Sequence, residues 1–171
     1  MLTSVIIDKL TNSIEDAASG KSFDTEIVPL VKVDLKTELK KYRWRFNWKA
    51  EMKYTDRQLY KLVIKGESII QGLISLQVMD NFVEMHLIES APHNFGHGKR
   101  YVGVAGNLVA YVCKLSFDLG FHGFIAFTSK TDLIQHYRET LGAELIFGNR
   151  MAITTIPAKK LVNSYYEDHL S

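Results

Sequence analysis

Residues Met85 to Gly120 read MHLIESAPHNFGHGKRYVGVAGNLVAYVCKLSFDLG: an apolar strand, a turn rich in glycine and cations, and a long amphipathic helix. At its centre, Arg100, Tyr101, Val102, Gly103, Val104, Ala105 and Gly106 leave little side chain where the helix should begin. Backbone N–H groups at a helix start have no intrahelical acceptor, and the aligned peptide dipoles put partial positive charge there. Small residues let an anion approach such a site, so the stretch reads as a phosphate cradle.

Upstream, the apolar period is two. Gln58 to Ile64, Ile69 to Val78 and Phe82 to Ser90 are strands separated by turns at Gly66 and at Asp80–Asn81, which predicts an antiparallel meander. Pro92 ends the third strand, and residues 93–99 have no apolar periodicity and make a loop. Downstream, Leu108, Val112, Leu115 and Leu119 share one face of a helix over 106–119, and Gly120 stops it. Phe124 to Phe127 has the continuous apolar run of a strand covered on both sides. A second helix spans Asp132 to Leu141 and ends at Gly142; a hairpin of Glu144–Phe147 and Met151–Ile156 turns at Gly148 and Asn149; a terminal helix covers Ala158 to His169. The order predicts one α/β sandwich in which a helix connects two parallel central strands.

The N-terminal third carries weaker patterns. Val5, Ile6, Leu10 and Ile14 fit a helix, whereas Ile14–Ala18 and Phe23–Val28 fit a hairpin turning at Ser19 and Gly20; both readings stand. Pro29 restricts Glu26–Val33 to an edge or first strand. Asp34 is placed to cap a helix in which Leu35, Leu39, Tyr42 and Phe46 recur, with Trp44 and Trp48 as a second aromatic pair. Lys41, Arg45, Lys49, Lys53, Arg57 and Lys61 recur every four residues, so one long helix would carry a cationic stripe able to track a phosphate backbone; interspersed Glu38, Glu51 and Asp56 favour a solvated face.

With 171 residues, 46% of them hydrophobic, the chain can bury the core of a single domain. No apolar run approaches the ~20 residues of a transmembrane helix, and Asp8 and Lys9 break the run from Ser4 to Leu10. The N-terminus lacks the pattern of a secretory leader, so a cytoplasmic location is expected. Cys113 is the single cysteine, which excludes an internal disulfide, and its apolar helix predicts a buried thiol. A net charge of +2 does not by itself point to nucleic acid.

The glycine turn lacks both the GKS/GKT of a P-loop and the spacing of a GxGxxG dinucleotide fingerprint. Arg100, Gly103 and Ala105 spell RxxGxA, and the next helix holds Tyr137 five residues before Gly142. In that order, with Pro92 before them, these residues resemble the GCN5-related N-acetyltransferases, whose acetyl-CoA motif is Q/RxxGxG/A. The resemblance covers Gln58 to Ile156. It implies a mixed, mostly antiparallel central sheet with helices on both faces and a splay between the fourth and fifth strands. It also implies one domain over 1–171: acceptor-side elements in 1–57, a cofactor-binding core in 58–156 and a C-terminal helix or tail in 157–171. Acetyl-CoA would be the donor and CoA the product. The Arg100–Tyr101 turn would lead into a pyrophosphate site on the N–H groups of Val102, Gly103, Val104, Ala105, Gly106 and Asn107. The pantetheine arm would pair with the main chain from Ile88 to Ser90.

One departure is the spacing. Pro92 lies eight residues before Arg100, where relatives have about three, so residues 93–99 either form a lid or displace Arg100. His93 and His97 have no carboxylate or cysteine beside them and read as loop residues, with no metal implied.

Acyl transfer needs an acid for the departing thiolate and a neutral amine. By resemblance Tyr137 is the acid, since a phenol holds a proton at neutral pH. Strand alternation puts Glu84, His86 and Ile88 on one side and Met85, Leu87 and Glu89 on the other. Glu89, nearest the expected splay, is the favoured base, with His86 and Glu84 as rivals. Trp44, Phe46 and Trp48 fall where the resemblance puts the acceptor pocket, and would favour an apolar or cationic acceptor. The expected activity is transfer of an acetyl group from acetyl-CoA to the primary amine of a small-molecule or peptide acceptor, by direct attack of that amine on the thioester. The alternative is a CoA-binding or RNA-contacting regulatory module without catalysis. The resemblance is compatible with a homodimer, and the sequence pattern reveals no exposed apolar face.

Overall fold

The period-two segments at the centre of the chain build β4 (Gln58–Ile64), β5 (Ile70–Val78) and β6 (Val83–Ser90), the antiparallel meander expected of them. A computed structural model describes residues 2–11 and 13–166. β3 (Thr25–Pro29) pairs with β4 and forms one edge, where Pro29 needs no ladder donor. Beyond β6 come β8 (Ile125–Thr128), β10 (Arg150–Ile153) and β9 (Glu144–Phe147), giving the order β3-β4-β5-β6-β8-β10-β9. Among the strands of the described residues, β6 and β8 are the parallel pair, joined by α3 (Val104–Asp118), while α4 (Ile134–Leu141) follows β8 and ends on left-handed Gly142. The last helix, α5 (Thr155–Tyr165), starts earlier than its apolar pattern suggests, and positions 167–169 of the expected helix lie outside the described residues.

Two apolar cores cover the faces of this sheet. Ile74, Leu76, Val83, Met85 and Ile88 pack with α3, α4 and α5; Ile70, Leu73 and Leu87 pack with Leu30, Leu59 and Trp48. Cys113 is fully buried in the first, where burial pushes its thiol far above the usual range and makes it inert. The sheet ends on β9, whose Leu145, Ile146 and Phe147 are exposed, an apolar edge that the sequence pattern does not disclose. Among the described residues, no helix is long and apolar enough to cross a membrane.

Three expectations are corrected. The helix from Leu35 through Phe46 is broken into α1 (Lys32–Lys36), a 3-10 turn over Glu38–Lys41 and α2 (Trp48–Glu51). Tyr42 is extended, and Glu89 accepts the N–H groups of Arg45 and Phe46, so a tertiary anchor overrides the helical spacing. Asp34 does cap, but from the third position of α1, where it accepts Val31 N–H at 2.9 Å and pairs with Lys61 at 2.8 Å. The cationic stripe falls with the helix, since Lys41 pairs with Glu38, Arg57 with Glu51, and Lys61 lies on β4. Lastly, Leu76 faces Met85 whereas Ser75 faces Leu87, so His86 is a bulge. The extra residue breaks alternation, which sets Met85 on the α3 face while Leu87 and Glu89 face Trp48.

At the N-terminus the hairpin reading holds: β1 (Ile14–Asp16) pairs with β2 (Ser22–Phe23) across Gly20 at φ 74°. β1 also pairs with β7 (Tyr101–Val102), tying the hairpin to the turn before α3.

Candidate active site

β6 and β8 pair at Val83–Ile125 and Glu84–Ala126 and then part. The bulge at His86 follows immediately, and bulges bend a strand and end pairing, so the bend opens the wedge. In the wedge lies a cavity of about 510 Å³, with Ile88, Glu89 and Ser90 on one wall and Ser4, Val5, Ile6 and Asp8 on the other. Phe46, Arg43, Arg45, Phe95 and Lys99 complete much of the lining.

α3 starts behind one wall of this cavity, where Gly103 N–H donates to Asp8. Its N-cap, Gly103, has φ 91°, and a Cβ there would sit 2.5 Å from Thr11 Cγ2. Only glycine suits both constraints. Gly106 is equally confined, against the Tyr165 hydroxyl and Leu10. Val104, Ala105 and Asn107 are buried, and Asn107 donates to Thr25 Oγ1 at 2.9 Å. Tyr101 packs edge-on against Phe23 and Val102 pairs with Glu15. The Arg100 guanidinium is exposed, 3.7 Å from Asp16, while its N–H closes the 93–99 loop on the His93 carbonyl at 2.8 Å. Asn94 pins that loop by donating to the carbonyl and side chain of Gln71 and accepting Tyr101 N–H.

The expected acid, Tyr137, is fully buried on α4 against Phe127, with its hydroxyl donating to the Val5 carbonyl. Burial, and secondarily Asp132, pushes its pKa well above the usual phenol range, so it keeps its proton. Glu89 is 5% exposed: one oxygen accepts Arg45 N–H at 2.7 Å, the other Phe46 N–H at 3.3 Å and the Trp48 indole N–H at 2.8 Å. Glu84 forms a two-pronged pair with Arg150, at 2.6 and 2.7 Å, reaching over β8. His86 faces Gln77 at 2.8 Å. Of the three aromatic candidates, Phe46 lines the cavity, Trp48 is buried in the second core and Trp44 packs beside it. The wedge therefore gathers Ile88, Glu89, Ser90 and Phe46, with Tyr137 and the start of α3 behind residues 4–8; Glu84, His86 and Arg100 are engaged elsewhere.

Burial, reinforced by the Arg57 guanidinium, holds the His86 pKa below its ordinary value, and burial does the same for His93. The unfolded chain then binds more protons than the native one as pH falls through about 6.5, so stability is full above that pH and declines below it. Thermal unfolding followed from pH 7.5 to pH 5 should show a falling Tm whose slope is shallower in His86→Gln.

Residues 3–9 were missed as part of this site. Thr3 and Ile7 are buried while Leu2 and Ile6 are exposed, so burial here runs against hydropathy and no periodicity in the sequence marks the segment.

A mostly antiparallel sheet opened between its fourth and fifth core strands, with a helix starting behind the wedge, is the acyl-CoA N-acyltransferase fold of the GCN5-related N-acetyltransferases. Solved structures carry the same fold. A spermidine N-acetyltransferase from Vibrio cholerae, solved with CoA and spermine, matches at TM-score 0.53 and 16% identity over 80% of this chain and 98% of the other. An N-acetyltransferase, PaiA, from Thermoplasma acidophilum, solved with coenzyme A, matches at TM-score 0.51 and 16% identity over 77% and 99%. No protein-family model and no curated protein matches by sequence.

Proposed function

We propose that the chain is an acetyl-CoA-dependent N-acyltransferase acting on a primary amine. The observation that carries the proposal is the wedge itself: on the side toward β8, the edge of β6 from Ile88 to Ser90 has no strand partner among the described residues and borders a cavity of about 510 Å³. An extended arm bearing amides can pair with such an edge. The N–H groups at the start of α3 supply the anion-binding end, in a turn kept to glycine at 103. Bound acetyl-CoA would supply an activated acyl group as a thioester. The amine nitrogen attacks its carbonyl carbon, the C–S bond breaks, and the Tyr137 hydroxyl gives its proton to the thiolate. The proton lost by the amine restores the phenol through solvent.

Glu89 is a positioning residue in this scheme. Its carboxylate holds the 45–48 segment and so sets Phe46 and Arg45 in the cavity wall. With Trp44 and Trp48 outside the lining, charge rather than stacking selects the acceptor. Arg43 and Arg45 are exposed cations on the cavity, which favours amines that also carry a carboxylate or a phosphate.

Titration calorimetry with acetyl-CoA and CoA tests the donor half, and thiol release with a panel of acidic amines, peptides and polyamines tests the acceptor half. Saturable binding and faster release with acidic amines are expected. Absence of binding in the wild-type chain and in Asp8→Ala alike overturns the reading. The Val5 carbonyl on Tyr137 favours a second reading, a CoA-binding module without turnover, distinguished by acetyl-CoA binding with no thiol release from any amine.

A further inference from the structure

Residues 3–9 occupy two of the groups that the donor would use, the Tyr137 hydroxyl and the Gly103 N–H. Thr3 forms a parallel bridge to Ser129 just past β8, donating to the Thr128 carbonyl at 2.6 Å and accepting Lys130 N–H at 2.9 Å. The Val5 carbonyl takes the Tyr137 hydroxyl, and Ile7 N–H donates to His136 Nε2 at 2.9 Å. Asp8 then accepts Gly103 N–H at 3.1 Å and pairs with Lys99, also at 3.1 Å. The Tyr165 hydroxyl, which also reaches the Gly103 carbonyl, closes on the Lys9 carbonyl at 3.1 Å. An extended chain of amides ending in a carboxylate at a helix start presents the same chemistry as an amide-bearing arm ending in a phosphate.

We infer that residues 3–9 are an intramolecular strap in the acyl-donor groove, which acyl-CoA displaces to reach Tyr137 and the Gly103 amide. This rests on the donor reading above. The strap is built to leave. Its main-chain pairing to the sheet is a single bridge, not a ladder, and Ile6 is 46% exposed, so only Thr3 and Ile7 are buried in the run from 3 to 8. Segments with few buried apolar contacts open at lower free energy than the core they cover. While the strap is seated, the donor-competent fraction is small and the apparent affinity is reduced by that fraction.

The test combines amide hydrogen exchange with acetyl-CoA titration of the wild-type chain, Asp8→Ala and Thr3→Pro. Asp8→Ala removes the anion from Gly103 and Lys99; Thr3→Pro removes the N–H given to Thr128. Each should tighten acetyl-CoA binding about tenfold through a larger open fraction. In the wild-type chain, residues 3–9 should exchange faster than β5 and β6 and lose their remaining protection when acetyl-CoA binds. Equal affinity in all three proteins, or a complex in which residues 3–9 stay protected, overturns the strap while leaving the donor reading intact. Failure of all three proteins to bind acetyl-CoA overturns the donor reading, and the strap with it.

Discussion

Glu89→Ala is expected to lower the unfolding free energy by about 3 kcal/mol, since buried donors left without an acceptor cost about 1–3 kcal/mol each. Three donors lose their partner: the N–H groups of Arg45 and Phe46 and the indole N–H of Trp48, a side chain 2% exposed. Water can reach the two main-chain groups once the segment loosens, but the indole would stay buried, so the loss is smaller than the sum of three full penalties. Glu89→Gln keeps one acceptor oxygen and should lose about half as much, roughly 1–2 kcal/mol. Urea unfolding measures this as a drop in midpoint at constant m. A variant that keeps its midpoint yet loses turnover would make Glu89 the base rather than the anchor.

Tyr137→Phe is expected to lower kcat by about 100-fold or more, the range for removing a general acid. The same change frees the Val5 carbonyl, so acetyl-CoA should bind no more weakly, and more tightly if the strap loosens. Stability should fall by only about 1 kcal/mol for one hydrogen bond. Pre-steady-state thiol release separates these effects, because the acid acts on the chemical step and the strap on binding. An unchanged kcat would assign the thiolate's proton to another group.

The central elements were legible because each satisfies a local rule that tertiary contacts do not oppose. β4, β5 and β6 are short apolar segments bounded by turns at Gly66 and Asp80–Asn81, Gly120 and Gly142 sit at left-handed φ where α3 and α4 stop, and Pro29 falls on an edge strand. Two other features were not legible, because their cause lies far away in sequence. The helix expected through Phe46 breaks on a carboxylate 44 residues from Arg45, and the glycine at 106 answers to Tyr165 on the last helix. Gly103 carries a further lesson: it is confined by Thr11 and by its own φ, so a side chain there would disturb the fold as well as any anion site.

By itself the sequence determined the order of strands and helices from β4 onward, the parallel crossover through α3, and the glycine turn that starts it, because periodicity and backbone permissiveness are local properties. Only the tertiary structure decided which side of β6 Glu89 faces, since one bulged residue reverses the alternation. It also decided that residues 3–9 run through the wedge to cover Tyr137 and Gly103. Such a path is a long-range contact with separations near 100 residues or more, and no local pattern in either partner specifies it.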